Sequence, residues 1–167
     1  TPANVTTITL NGVASDGNRI VVVGPNGRML TSDDSGETWV ELSELTITKD
    51  LNDITWDGSR FGVVGSDGTV LSSPDGIDWT EHNEVHLDVT FVGASQWDTV
   101  LPLQPILAAV GSSGTFAVSP DSASAFIVRT GTNEQLEAIS WVVGGVNNRY
   151  FVIVGHNGTI FTNRNDP

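Results

Sequence analysis

Four copies of one short motif predict an all-β chain folded as a small β-propeller of four four-stranded blades. V-G-x-x-G recurs with first glycines at Gly24, Gly65, Gly111 and Gly155, spaced by 41, 46 and 44 residues. Periods in the forties with several short strands per unit mark propeller blades. Composition agrees: 18 of 167 residues are glycine and only 16% are charged, which suits turns and strands. No segment carries the 3.6-residue apolar period of an amphipathic helix, and glycines interrupt nearly every candidate window.

Each unit divides into strands A to D. Strand A reads "NGVAS" from Asn11, "NDITW" from Asn52, "LDVTF" from Leu87 and "EAISW" from Glu137, alternating as half-buried strands do. Strand B is the apolar run before V-G, as in "RFGVVG" and "RYFVIVG". The x-x-G that follows supplies the positive φ angles of a tight hairpin. Strand C is "RML", "TVL", "TFAV" or "TIF", and strand D is "TWVEL", "DWTEH" or "AFIVR". The units occupy about 10–43, 51–84, 86–130 and 136–167 of a single domain spanning 1–167. The fourth stops at "FTNRNDP", ahead of any strand D, while the leader "TPANVTTITL" aligns in register with "WTEHNEV" at Trp79. Residues 1–7 are therefore expected to complete the last blade and close the ring without a free edge. The rival arrangement is a half-ring that dimerises into eight blades, followed by a piece of a longer propeller. The chain begins without Met, as a processed product or excised piece would.

Charge and cysteine narrow the partners. The net charge of −13, from 7 basic and 20 acidic residues, argues against nucleic acid and against an anionic membrane, since either needs a basic patch. No run approaches the roughly 20 apolar residues of a membrane span, and no signal peptide is recognisable. The absence of Cys removes disulfides and thiolate chemistry. An acidic surface suits a saline or extracellular setting, at a cell or virion surface.

"SDDSGETW", from Ser32 to Trp39, opens strand D of the first unit. It matches S-x-D-x-G-x-T-W at Ser32, Asp34, Gly36, Thr38 and Trp39. "SPDGIDW" keeps Ser73, Asp75, Gly76 and Trp79, one residue shorter; "SPDSASAF" keeps Ser119 and Asp121 with Phe126 for Trp; the fourth unit keeps Asn163 and Asn165 in the polar positions. With these four copies in register, the chain resembles the Asp-box (bacterial neuraminidase repeat) β-propellers. The residues themselves suggest a folding device: Ser and Asp side chains bond turn amides, glycine takes the left-handed position and the aromatic packs on the neighbouring sheet. The resemblance implies that such boxes lie at the blade rim, away from a ligand face.

The same resemblance raises a sialidase reading, which the residues oppose. The family's enzymes look six-bladed, with an arginine triad, a tyrosine–glutamate pair and an acidic general acid. Four units are too few, and the one tyrosine, Tyr150, sits on strand B beside the A–B turn. Arg19, Arg60 and Arg149 recur just before strand B, where turn Asp or Asn residues can partner them. Strand A is expected to line the channel. Core-facing positions are Val13, Ile54, Val89 and Ile139, then Ser15, Trp56, Phe91 and Trp141; the opposite positions are Gly12, Asp53, Asp88 and Ala138. Asp53 and Asp88 could meet at the channel mouth and hold a cation or polar ligand, with Trp56 and Trp141 as stacking surfaces. Their simpler role is to bond backbone amides or water. His82, His86 and His156 fall on the B–C turn face near Glu81, Glu84 and Asp67; loop spacing favours solvated histidines over a metal site. The third unit carries "GASQWDTVLPLQP" from Gly93 to Pro105, where Trp97, Leu101 and Leu103 need a cover, either local packing or a partner.

The expectation is a non-enzymatic recognition or display module binding protein or glycan, part of a secreted, surface or phage-tail-type protein. It uses no cofactor and exists as a monomer or homodimer. The alternatives are a carbohydrate-active enzyme or fragment and, third, an assembly-factor-like scaffold. The third resembles the photosystem II assembly-factor branch of such repeats, but the arginine patch expected there is missing.

Overall fold

The structure, a computed structural model, describes residues 6–42, 46–82, 91–96, 107–119, 126–129, 131–143 and 149–162, with backbone alone at 91–96, 119, 126–129, 143 and 149. Among these residues the strands form four antiparallel sheets, one per sequence repeat. The first is β1 (Gly12–Ser15), β2 (Ile20–Val23), β3 (Met29–Ser32) and β4 (Val40–Glu41). The second is β5 (Leu51–Trp56), β6 (Phe61–Gly65), β7 (Val70–Ser73) and β8 (Thr80–Glu81). The third is β9 (Phe91–Gln96), β10 (Leu107–Gly111), β11 (Thr115–Ser119) and β12 (Phe126–Arg129). The fourth has β13 (Leu136–Val143), β14 (Arg149–Gly155) and β15 (Ile160–Thr162). The sheets pair in chain order and stand side by side, β1 against β5, β5 against β9 and β9 against β13.

The hairpins that set this register are those the motif predicts. Asn26, Asp67, Ser113 and Asn157 take φ of 56°, 52°, 56° and 52°, each followed by a glycine at 66–75°. Two consecutive positive φ angles turn the chain in the sense that matches strand twist, which is why V-G-x-x-G recurs. The N–H of Arg28 donates to the Pro25 carbonyl at 3.2 Å, and Thr69 and Thr159 close the equivalent turns.

Apolar residues fill the spaces between sheets. Val21, Val23 and Met29 of the first sheet pack against Leu51, Ile54, Phe61, Val63 and Leu71 of the second. Ala108 and Val110 of the third meet Leu136, Ile139, Phe151 and Ile153 of the fourth. Glycine gives the middle junction its close approach: a Cβ on Gly62 would lie 3.1 Å from Leu107, whose side chain occupies that gap.

Three expectations change. The ring is not closed among the described residues: Thr6–Leu10 contains no strand, residues 1–5 lie outside the described set, and β15 pairs only with β14. Thr6–Leu10 instead runs past its own first sheet, as the links into the other sheets do. A Cβ on Gly24 would lie 3.2 Å from the Thr9 carbonyl, and one on Gly65 would lie 2.2 Å from that of Asp50. Next, strand A of the third unit is Phe91–Gln96. Gly93 pairs with Val110 as Asp53 pairs with Val64, so Gly93 holds the position assigned to Asp88, and Ala94 that assigned to Val89. "LDVTF" alternates and "FVGASQ" does not, so the alternation rule selected the upstream register. Finally, Phe151 pairs with Trp141 as Phe61 does with Trp56, which places Tyr150, not Arg149, in register with Arg19 and Arg60. The longer strand "RYFVIVG" moves Arg149 one residue outward.

Candidate functional site

The rim is built by the Ser–Asp turns. The Ser32 hydroxyl accepts the Gly36 N–H at 2.8 Å and donates to Asp34 at 2.8 Å. The Asp34 carboxylate accepts the Thr38 N–H at 2.8 and 3.0 Å and the Thr38 hydroxyl at 2.5 Å. These donors, the Thr38 hydroxyl first, then the Thr38 N–H and the Ser32 hydroxyl, lower the Asp34 pKa to about 2. The second turn repeats the plan in shorter form. Ser73 accepts the Gly76 N–H at 2.8 Å, and Asp75 accepts those of Ile77 and Asp78, both at 2.9 Å, which hold its carboxyl below the ordinary value. The shortening has a cost at the indole. Trp39 Nε1 donates to the Gly36 carbonyl at 3.1 Å, whereas the buried Trp79 Nε1 has no partner among the described residues. Asp121, Asn163 and Asn165 lie outside the described residues, and Ser119 and Phe126 are described by backbone alone.

Arg19 ties two rims together. Its Nε and Nη2 grip Asp33 at 2.6 and 2.8 Å, while Nη1 donates to the Asp75 carbonyl of the next sheet at 2.5 Å. The bidentate pairing lowers the Asp33 pKa and raises that of Arg19. Asp16 and Asp57 cap the A–B turns: Asp16 accepts the N–H groups of Arg19 and Asn18, both at 2.7 Å, which lower its pKa, and Asp57 accepts those of Arg60 and Ser59 at 2.6 and 2.7 Å. The A–B and C–D turns thus form one face on which short bonds pin carboxylates. Sequence reading placed these acids in turns but missed the bridge from Arg19 to the next sheet. An arginine five residues before the V-G glycine, in both of the first two units, was the available signal.

The opposite face is built from B–C turns and the links that cross them. Asp50 accepts the Asn26 N–H at 2.9 Å, Lys49 pairs with Asp67, and Asn157 donates to Glu134 at 2.7 Å. His82 meets the Ser72 hydroxyl at 2.8 Å and His156 meets Glu137 at 2.7 Å; His86 lies outside the described residues. No group of three or more His, Asp or Glu residues suited to a metal gathers among the described residues. A shallow cleft of about 200 Å³ here is lined by Ile8, Leu42 and Ile47, with the Arg28–Glu41 ion pair (3.1 Å) along its wall.

Of the proposed channel residues, Asp53, Trp56 and Trp141 are described. Asp53 is half-buried, accepts its neighbour Ile54's N–H at 2.9 Å and lies close under Gly12, where a Cβ would be 3.1 Å from its carboxylate. Asp88 is outside the described residues, and so is its expected pairing with Asp53. Trp56 packs on Phe61 with centroids 4.6 Å apart, and Trp141 packs on Phe151 at 4.7 Å, each against an intersheet core. Trp97, Leu101 and Leu103 also lie outside the described residues.

No family model and no curated protein matches the chain. Solved structures do. The computationally designed Ika4 protein matches with a TM-score of 0.69 at 14% identity, covering 96% of this chain and 94% of that one. YCF48 bound to D1 peptide matches with a TM-score of 0.69 at 16% identity, covering 100% and 52%. The Cps50 (Swd1) β-propeller domain of Myceliophteria_thermophila matches with a TM-score of 0.65 at 11% identity, covering 93% and 50%. This chain thus spans about half the length of the two natural propellers. With four antiparallel sheets arrayed side by side and these likenesses, the chain has the β-propeller fold.

Proposed function

We propose that the chain is a non-enzymatic recognition module that presents its A–B and C–D turn face to a protein partner bearing basic residues. The observation that carries this is the charge of that face. Asp16, Asp33, Asp34, Glu37, Asp57, Asp75 and Asp78 stand there with only Arg19 and Arg60 among the described residues. Asp16, Asp33, Asp34 and Asp75 have lowered pKa values, so the field persists well below neutral pH. A rigid field of one sign steers and selects a partner of the other. A protein ligand is favoured over a glycan because the rings on which a sugar would stack, Trp56 and Trp141, are engaged by Phe61 and Phe151. Peptide binding in the structural neighbour YCF48 is consistent with the fold in this role. The Ser–Asp turns of the first two units support membership of the Asp-box propellers, with the boxes here sharing the binding face rather than lying away from it, and a place in a secreted, surface or phage-tail-type assembly suits such a display module.

Fluorescence anisotropy with lysine-rich and glutamate-rich peptides tests the proposal. The basic peptide is expected to bind, to weaken as salt rises and to lose about tenfold on replacing Glu37 and Asp78 together by Lys. Equal binding of both peptides would count against it, as would turnover of a glycoside substrate.

A further inference from the structure

The first and last sheets carry apolar faces whose counterparts elsewhere in the array are covered. Val13 is 64% exposed, whereas Ile54 and Ile139, at the same register, are 4% and 8% exposed. At the other end Val154 is 40% and Ile160 68% exposed, while Val23, Val64, Val110 and Met29 at matching positions are fully buried. The turn glycines agree. A Cβ on Gly27 would lie 1.9 Å from the Ile47 carbonyl and one on Gly114 would lie 2.1 Å from that of Thr132, each on the link into the following sheet; at Gly158 it meets nothing within 4 Å.

These two faces are the halves of one junction. It is the same junction that seats Val23 and Met29 against Ile54, and it recurs between the third and fourth sheets. Its polar part is also duplicated: Gly27 and Gly114 donate their N–H groups to the carbonyls of Lys49 and Glu134 at 2.7 and 2.8 Å. Ile8 stands four residues ahead of Gly12, as Lys49 and Glu134 stand ahead of Asp53 and Ala138. The whole chain superposes on 52% of one longer propeller chain and 93% of it on 50% of another, as part of a larger ring would. We infer that two copies associate head to tail, the last sheet of each against the first sheet of the other, closing a ring of eight sheets about a two-fold axis. In each of the two junctions Val13 covers Val154 and Ile160, and the Ile8 carbonyl accepts the Gly158 N–H. Such a junction is self-complementary only across two different faces, so it closes when the arc is a half-circle and otherwise runs on as a filament. This inference does not depend on the partner proposed above.

Light scattering on a sizing column, run on this 167-residue chain at several concentrations, is expected to give about twice 17.7 kDa. Val13→Glu and Ile160→Glu should each weaken self-association at least tenfold with unchanged near-UV circular dichroism. An equimolar mixture of the two should recover dimer, because one of its junctions contains neither glutamate. Gly158→Ala, unhindered within the single chain, should also weaken association and provides a test that does not depend on the charged variants folding. Four outcomes overturn the inference: a mass near 17.7 kDa at every concentration, a ladder of larger species, sensitivity at only one of the two faces, or a mixture no better than its components.

Discussion

At Asp34 three donors converge on one exposed carboxylate, and the consequence is a pH dependence with a defined sign. The folded-state pKa of about 2 lies below the ordinary 3.8, so these bonds add stability above about pH 4, and that stability is lost as pH falls through about 2. The melting temperatures of the parent and of Asp34→Asn should therefore differ most near neutral pH and converge in acid. Ser32 is buried and accepts the Gly36 N–H, so Ser32→Ala should cost about 1–3 kcal/mol in denaturant unfolding by leaving that donor without its acceptor. The two indoles provide a contrast. Trp39→Phe removes a hydrogen bond, while Trp79→Phe removes an N–H with no partner among the described residues, so Trp39→Phe should be the more costly. Trp39 is only half-buried, so its truncation to Ala should fall short of the 3–5 kcal/mol typical of a core aromatic.

Among the elements, the hairpin turns were the most legible in sequence and the inner strands the least. V-G-x-x-G specifies positive φ at two adjacent positions, a constraint few residue types satisfy, and all four copies fold alike. Strand A has only period-2 alternation as its signal, which "LDVTF" satisfies and the strand Phe91–Gln96 does not. The residues of that strand therefore carry no local sign that Gly93 holds the inner position assigned to Asp88. The Arg19 bridge depends on which sheet stands next door, which no local pattern contains. Glycine substitutions should expose the difference between covered and open turns. Gly27→Ala meets the Ile47 carbonyl and should cost about 3 kcal/mol or more, whereas Gly158→Ala in the dilute chain should cost only about 1 kcal/mol of left-handed strain. Thermal unfolding of the two variants side by side measures it.

For the whole molecule, four units in series describe the architecture better than one core does. Phe61 stands at the first junction, fully buried between Trp56 and Trp79, and Phe61→Ala should cost about 3–5 kcal/mol by opening a cavity there. The repeat made the number of sheets legible, but closure rested on the leader, and pairing of an end strand is decided by geometry that accumulates across all four units. The described strands pair with near neighbours in sequence, and each sheet touches chiefly the one before and the one after it. Such an array behaves as a one-dimensional chain of coupled units. Its amides should therefore exchange with deuterium in a gradient, slowest in β6 and β10 and fastest toward β15, whose outer edge pairs with no described strand. Folding should begin in a single hairpin and spread like a zipper from sheet to sheet, at a speed set by short loops rather than by the length of the polypeptide.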